Sequence, residues 1–180
     1  ARAAFAALGG RHCILERRID LAAELSIVLA RGADGAVAPF PVAENRHRNG
    51  ILDVSVAPAP VASGLAAEAT RTACAIATAL DYVGVLGVEF FVAADGRLLV
   101  NELAPRPHNS GHYTQDACLT SQFEQQLRAL CGMPLGDPAP VRAAAMVNIL
   151  GDAWSGGEPH RSGVITETDA RQHLYGNSEP

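Results

Sequence analysis

The chain has 180 residues, 14 basic and 19 acidic, for a net charge of −5, with 48% hydrophobic and only 5% aromatic residues. That apolar content suffices for the core of one ordinary domain and excludes a disordered chain, while no run approaches the ~18 uninterrupted apolar residues of a membrane span. An acidic chain without a basic run, and with few rings for stacking, is also a poor nucleic-acid binder.

Ala1 to Leu8 reads as the tail of a helix stopped by Gly9-Gly10. The start lacks Met and the layout of a signal peptide, so a cytoplasmic chain beginning inside a longer protein is expected. Cys13-Ile14-Leu15-Glu16 is predicted as a strand, with Glu24 to Arg31 as its longer neighbour. After an Ala33-Asp34-Gly35 turn, Ala36 to Val42 and Ile51 to Ala57 continue a largely antiparallel sheet. From Ser63, read as an N-cap, to Leu80, the residues Leu65, Ala69, Thr72, Ala73, Ile76, Ala77 and Leu80 keep helical spacing, and Gly84 suits the stop. One face of this helix packs on the sheet.

Val85 to Val92 and Arg97 to Leu103 are predicted as strands joined by a tight turn. The Pro-broken run from Ala104 to His112 fits no regular element, and helix resumes over Ser121 to Cys131. Met133 to Pro140 reads as a linker and Ala143 to Leu150 as a buried strand. The expected fold is α+β: residues 1–134, a linker at 135–140, and a small β-rich C-terminal domain at 141–180 with a last strand near His173-Leu174-Tyr175. The widely spaced Cys13, Cys74, Cys118 and Cys131 form no C-x-x-C pair and are expected to be free thiols.

The sharpest chemical feature follows from the turn. With Asp95-Gly96 as a two-residue hairpin turn, counting outward sets Glu89 opposite Glu102 and makes Phe91 and Val100 an apolar pair beside them. Directly opposed carboxylates repel by up to ~1 kcal/mol, and more when desolvated. A hard divalent cation such as Mg2+ would neutralise them; a solvated sheet end with both pointing into water is the alternative. A bulge or a longer turn would shift this register. Asn101 projects to the other face of an ideal strand and joins the pair only if the strand bends there.

Glu16 and Glu24 flank a strand connection, where a carboxylate can accept ribose hydroxyls or simply lie at the surface. His47, taken by itself, reads as an exposed loop histidine. Arg106-Pro107-His108-Asn109-Ser110-Gly111-His112 gathers a guanidinium, two imidazoles, an amide and a hydroxyl between prolines, which favours anion or substrate binding. His108 and His112 have metal-like spacing but no third ligand, so zinc is not expected. All 14 basic residues are arginine, so no lysine can act as a flexible point charge on a phosphate.

Glu24-Leu25-Ser26 with Ala30-Arg31-Gly32, Glu44-Asn45-Arg46-His47 with Asp53, the run from Asn101 to Thr114, and Thr120-Ser121-Gln122-Phe123-Glu124 with Leu127-Arg128-Ala129 together resemble the 5-(carboxyamino)imidazole ribonucleotide synthetase family of ATP-grasp ligases. The resemblance implies the second half of an ATP-grasp domain that couples ATP cleavage to bicarbonate activation and carboxylates aminoimidazole ribonucleotide in purine biosynthesis. It implies that Glu89 and Glu102 hold Mg2+, or Mn2+, at the ATP phosphates. Glu16, Arg17, Arg18 and Ile19 would form the adenine hinge, Glu24 would hold the ribose, and His47 and Asn101 would complete the nucleotide site. Arg106 and His108, with Asn109 and Ser110, would face bicarbonate and the aminoimidazole substrate.

Members of that family carry, ahead of the matching region, a further domain and the phosphate-binding lysines and glycine-rich loop. None of these occurs in this sequence, and Asn177 stands where a lysine is expected, so the resemblance implies a C-terminal piece that is inactive alone. It also leaves a homodimer open. The alternatives are a formate-dependent glycinamide ribonucleotide transformylase of the same superfamily, or a noncatalytic folded module.

Overall fold

A computed structural model describes residues 2–149, 170, 171 and 173. After a short helix α1 (Arg2–Ala7), the chain forms β1 (Leu21–Arg31), β2 (Val37–Pro39), β3 (Ala43–Arg48) and β4 (Ile51–Ala57). Helix α2 (Ser63–Ala79) leads to β5 (Gly84–Ala93) and β6 (Leu98–Ala104). A single 3-10 turn (Asn109–Gly111), α3 (Thr114–Ala117), α4 (Gln122–Leu130) and β7 (Ala144–Val147) follow. The strands make one antiparallel sheet in the order β6-β5-β1-β3-β4-β7, with β2 pairing the end of β1.

Central β1 is buried without a break from Leu25 to Arg31 because both faces of the sheet are covered there. On one face Leu25, Ile27, Leu29, Leu86, Val88 and Phe90 pack against Ala69, Ala73 and Ala77 of α2. Those alanines recur every fourth residue, so the helix presents a stripe of methyl groups and approaches the sheet closely. Truncating Phe90, which is 1% exposed, to alanine should cost about 3–5 kcal/mol. On the other face Val28, Ala30 and Val85 pack with Tyr113, Ala117 and Cys118 from the segment after β6. Burial pushes the Cys118 thiol up to about 11, so it is inert, and all four cysteines are free.

Several expectations need correction. Cys13 to Glu16 is not a strand; residues 11–20 lack regular structure, and Ile14 and Leu15 are 87% and 83% exposed. A strand needs a free edge, and those of β1 are occupied by β5 on one side and by β2 and β3 on the other. The strand predicted over Ala36 to Val42 shrinks to three residues, since Pro39 and Pro41 remove ladder donors. The polar Glu44 to Arg48 stretch, read as a loop, is most of β3. Ala62, not Ser63, is the N-cap of α2 and makes no side-chain cap. Ser121 does cap α4, accepting from the Glu124 amide.

The β5–β6 turn is also longer than expected. The Ala93 amide donates to Arg97 O at 2.9 Å, leaving Ala94, Asp95 and Gly96 as the loop, with Gly96 at φ +86. This moves the register by one residue and sets Phe90 against Val100 and Phe91 against Leu99. A bulge then restores the register, and Glu89 stands opposite Glu102. The unpaired residue is Asn101.

Beyond the expected linker, β7 pairs with β4 from Val54↔Val147 to Ala57↔Ala144 and so extends the main sheet. Most of the anticipated β-rich unit, including Leu174 and Tyr175 of its last strand, lies outside the described residues. No described helix is long and apolar enough to cross a membrane.

Candidate functional site

Strand alternation sorts the sheet face that carries Val28 into two halves. In register, Ser26 of β1 pairs with Glu89, while Glu24 pairs with Phe91 on one side and Asn45 on the other. Toward Val28 the face is covered by the 3-10 turn and the helices after it; toward Glu24 it is open and polar. The boundary is Gly87, where an added Cβ would stand 2.9 Å from both Cβ and Cγ of His108. Glycine therefore lets the imidazole lie directly on β5.

His108 is 7% exposed, with Nε2 3.2 Å from Glu89 Oε1 and Nδ1 2.8 Å from the Ser110 hydroxyl. Ser110 accepts in turn from the buried Ser26 hydroxyl at 2.7 Å. A neutral imidazole beside a carboxylate donates from Nε2, which leaves Nδ1 to accept from Ser110. The His108 hydrogen bond holds the Glu89 carboxyl below its ordinary pKa, against partial burial, which pushes it up. The neighbouring imidazoles of His108 and His47 and the Asn101 amide also favour the ionised form.

The bulge explains how Asn101 reaches this face. Its Nδ2 lies 3.5 Å from Glu89 Oε2, a long contact that an unbent strand could not make. Glu102 is exposed and has no ion pair among the described residues. Two opposed carboxylates offer the oxygen donors that a hard cation prefers, so the pair fits Mg2+ or Mn2+. No group of three or more His, Cys, Asp or Glu able to hold a metal occurs among the described residues, so the remaining ligands would have to be phosphate and water.

His47 sits on β3 rather than in a loop, and its Nδ1 contacts the Glu24 carboxylate. Both side chains are about a quarter exposed, at 24% and 25%. Behind them the buried Ser55 hydroxyl donates to Asn45 Oδ1 at 2.7 Å and ties β3 to β4. Arg17, Arg18 and Ile19 line an open cleft of about 730 Å³ with Asp20, Leu21 and Phe91. The segment is tethered where the Ala94 amide donates to Asp20 O at 2.8 Å.

Glu24, His47, Glu89, Asn101, Glu102, His108 and Ser110 thus gather on one face, with Arg17, Arg18 and Ile19 at its rim. Glu16 is exposed and does not line the cleft. Arg106 is exposed, its guanidinium donating to the Pro107 carbonyl at 3.1 Å. The side-chain oxygen of Asn109 is buried and has no hydrogen-bond partner among the described residues. His112 stacks on Phe123 with ring centroids 5.4 Å apart, and burial lowers its pKa to about 4. Sequence reasoning missed Ser26, Gly87 and Gln122. The first two share strand phase with Glu24 and Glu89 and could have been found by counting in twos; Gln122 carried no such signal.

Comparison with known proteins places the chain in a family. The ATP-grasp domain family matches residues 1–123. The chain is 52% identical over 140 residues to the N5-carboxyaminoimidazole ribonucleotide synthase of Bacillus subtilis, covering 78% of this chain and 37% of that protein. It is 48% identical over 177 residues to the synthase of the same name from Brucella melitensis, covering 98% and 48%. A crystal structure of an ADP complex of an N5-carboxyaminoimidazole ribonucleotide synthetase superposes with a TM-score of 0.80 at 47% identity, over 83% of this chain and 40% of that one. The chain therefore spans less than half the length of these relatives. It belongs to the ATP-grasp family.

Proposed function

We propose that the chain is the nucleotide- and bicarbonate-facing part of a ligase that carboxylates aminoimidazole ribonucleotide at the expense of ATP, in de novo purine biosynthesis. The observation that carries this reading is the Ser26–Ser110–His108–Glu89 chain set against Glu102. It joins a metal-fitting carboxylate pair to a fixed imidazole on one open face. The relatives named above supply the substrate class.

In this reading a bicarbonate oxygen attacks the γ-phosphorus of ATP, forming carboxyphosphate and ADP. The exocyclic amine then attacks the carboxyl carbon, or CO2 released from it, with loss of a proton and phosphate. Bound Mg2+, held by Glu89 and Glu102, would neutralise phosphate charge. Glu24 accepts ribose hydroxyls and is itself oriented by His47. Arg17, Arg18 and Ile19 close over the base beside Phe91. His108, its ring nitrogens held by Glu89 and Ser110, faces bicarbonate or the intermediate, Asn109 offers its side-chain acceptor to the substrate, and Arg106 is free to swing from Pro107 toward the anion.

The test is ATP turnover by the full-length protein with aminoimidazole ribonucleotide and bicarbonate, alone and together. Turnover requiring both is the expected result. Turnover requiring formate and glycinamide ribonucleotide instead would overturn it. The 180-residue chain alone is expected to be inactive, because it holds no lysine for the nucleotide phosphates. A homodimer in the cytoplasm completes the proposal; sedimentation showing a monomer at all concentrations would remove the dimer.

A further inference from the structure

The loop that carries His108, Asn109 and Ser110 is held by a residue that touches none of the proposed ligands. Gln122 opens α4, is 0% exposed, and projects its amide onto the backbone of His108. The His108 amide donates to Gln122 Oε1 at 2.9 Å, and Gln122 Nε2 donates to His108 O at 2.8 Å. His108 is extended, at φ −116 and ψ 145. The two backbone groups of an extended residue point the same way, so a primary amide satisfies both as a neighbouring strand would.

A second limb runs through Thr114. The Gln122 backbone amide, otherwise unpaired in the first turn of a helix, donates to Thr114 Oγ1 at 2.9 Å. The Thr114 hydroxyl donates onward to Gly111 O at 2.7 Å. An added Cβ on Gly111 would meet Gln122 Oε1 and Val28 Cγ2, each at 2.8 Å, so the loop lies hard against both helix and sheet. Residues 108 and 111 are therefore clasped to one residue, with the imidazole, the unpaired Asn109 oxygen and the Ser110 hydroxyl between them. Burying a polar side chain this completely is costly unless every hydrogen-bonding group is used. Here the two backbone groups of His108 use both ends of the amide.

We propose that Gln122 is a positioning residue for the reaction: its amide sets the register of His108 to Ser110 over Glu89, and only a side chain that both donates and accepts can do so. The kinetic part of this inference rests on the carboxylation reading above; the geometric part does not. Gln122→Met keeps length and burial but removes both hydrogen bonds. Gln122→Glu keeps the acceptor and sets a carboxylate against His108 O.

In the full-length enzyme, Gln122→Met should lower kcat with saturating bicarbonate about 10–100-fold, the range for losing a partner that orients a site residue, while KM for MgATP stays unchanged. Gln122→Glu should fall at least as far. Normal kcat in Gln122→Met, or an equal loss in the MgATP site, would overturn the proposal. An independent arm follows His108 by NMR without substrate: both variants should move its imidazole resonances and speed exchange of its backbone amide. Unchanged resonances would overturn the clasp even if the protein proves to catalyse another reaction, whereas moved resonances in an enzyme inactive with bicarbonate would sink only the carboxylation reading. Should Gln122→Met fail to fold, Gln122→Glu, which keeps the size and one of the two hydrogen bonds to His108, is read by the same measurements.

Discussion

The loop from His108 to Ser110 and the segment from Arg11 to Asp20 carry two parts of one proposed site and are built in opposite ways. The first is buried, and each of its hydrogen bonds to Ser26, Glu89 and Gln122 crosses between elements distant in sequence. The second has no regular structure, exposes Ile14 and Leu15 almost fully, and is held at its end by one backbone hydrogen bond from Ala94. In the proposed function, the difference would separate a preorganised chemical site from a nucleotide rim with little structure of its own. Groups proposed to meet a transient intermediate are already fixed, which would lower the reorganisation needed during reaction. Groups that cover a base can close after it arrives.

The largest effect should come from the carboxylate pair on the ordered side. Glu102→Gln is expected to lower carboxylation by the full-length enzyme about 100-fold while leaving metal-free stability unchanged or raising it by up to ~1 kcal/mol, because one of two opposed charges is gone. Steady-state kinetics and thermal melts with and without Mg-nucleotide read both halves. Normal turnover would reduce the pair to a solvated sheet end.

Next in size, Gly87→Ala tests whether the imidazole needs bare backbone beneath it. The new methyl group would sit 2.9 Å from the His108 ring and should cost about 1–3 kcal/mol in denaturant unfolding, with an accompanying fall in activity. A neutral result would show that the loop gives way easily and would erase the contrast with residues 11–20.

A smaller effect belongs to His112. Its folded-state pKa of about 4 lies below the ordinary 6.5, chiefly through burial, with His108 and His173 adding repulsion. Between those values the unfolded chain binds the proton and the folded chain does not. Stability is therefore complete above pH 6.5 and is lost as pH falls toward 4. Allowing for solvent screening, the loss is of order 1 kcal/mol. Melts of wild type and His112→Phe, which keeps the stack on Phe123, should differ in their dependence over that window; parallel curves would refute the assignment. The smallest effect is expected at Ile14→Ser, within about 0.5 kcal/mol, since nothing in the described structure packs on that side chain. A cost of 2 kcal/mol or so would show that the segment is as well anchored as the loop.

Much of the fold was legible where local pattern and tertiary role agree. The α2 spacing, the bounds of β4 and the span of α4 follow from periodicity, which depends only on near neighbours. The facing of Glu89 and Glu102 also follows from the hairpin pattern, but only because two departures from the ideal hairpin cancel. The turn is one residue longer than Asp95-Gly96 alone suggests, and a bulge at Asn101 restores the register. No local signal marked that bulge, and it is what lets Asn101 join the site.

By itself, the sequence determined the residue types, the strand phase that sets Glu24, Ser26, Gly87 and Glu89 on one face, and the motif run from Asn101 to Thr114. Only the tertiary structure decided which of these are held and which are not. His47 became a partner of Glu24 because a polar stretch was recruited between β1 and β4; Cys13 to Glu16 stayed unpaired because both edges of β1 were filled. The buried amide of Gln122 found its function through a residue fourteen positions earlier. Hydrogen-bond satisfaction in a buried loop depends on groups brought together by packing, and packing is a property of the whole chain that no window of sequence contains.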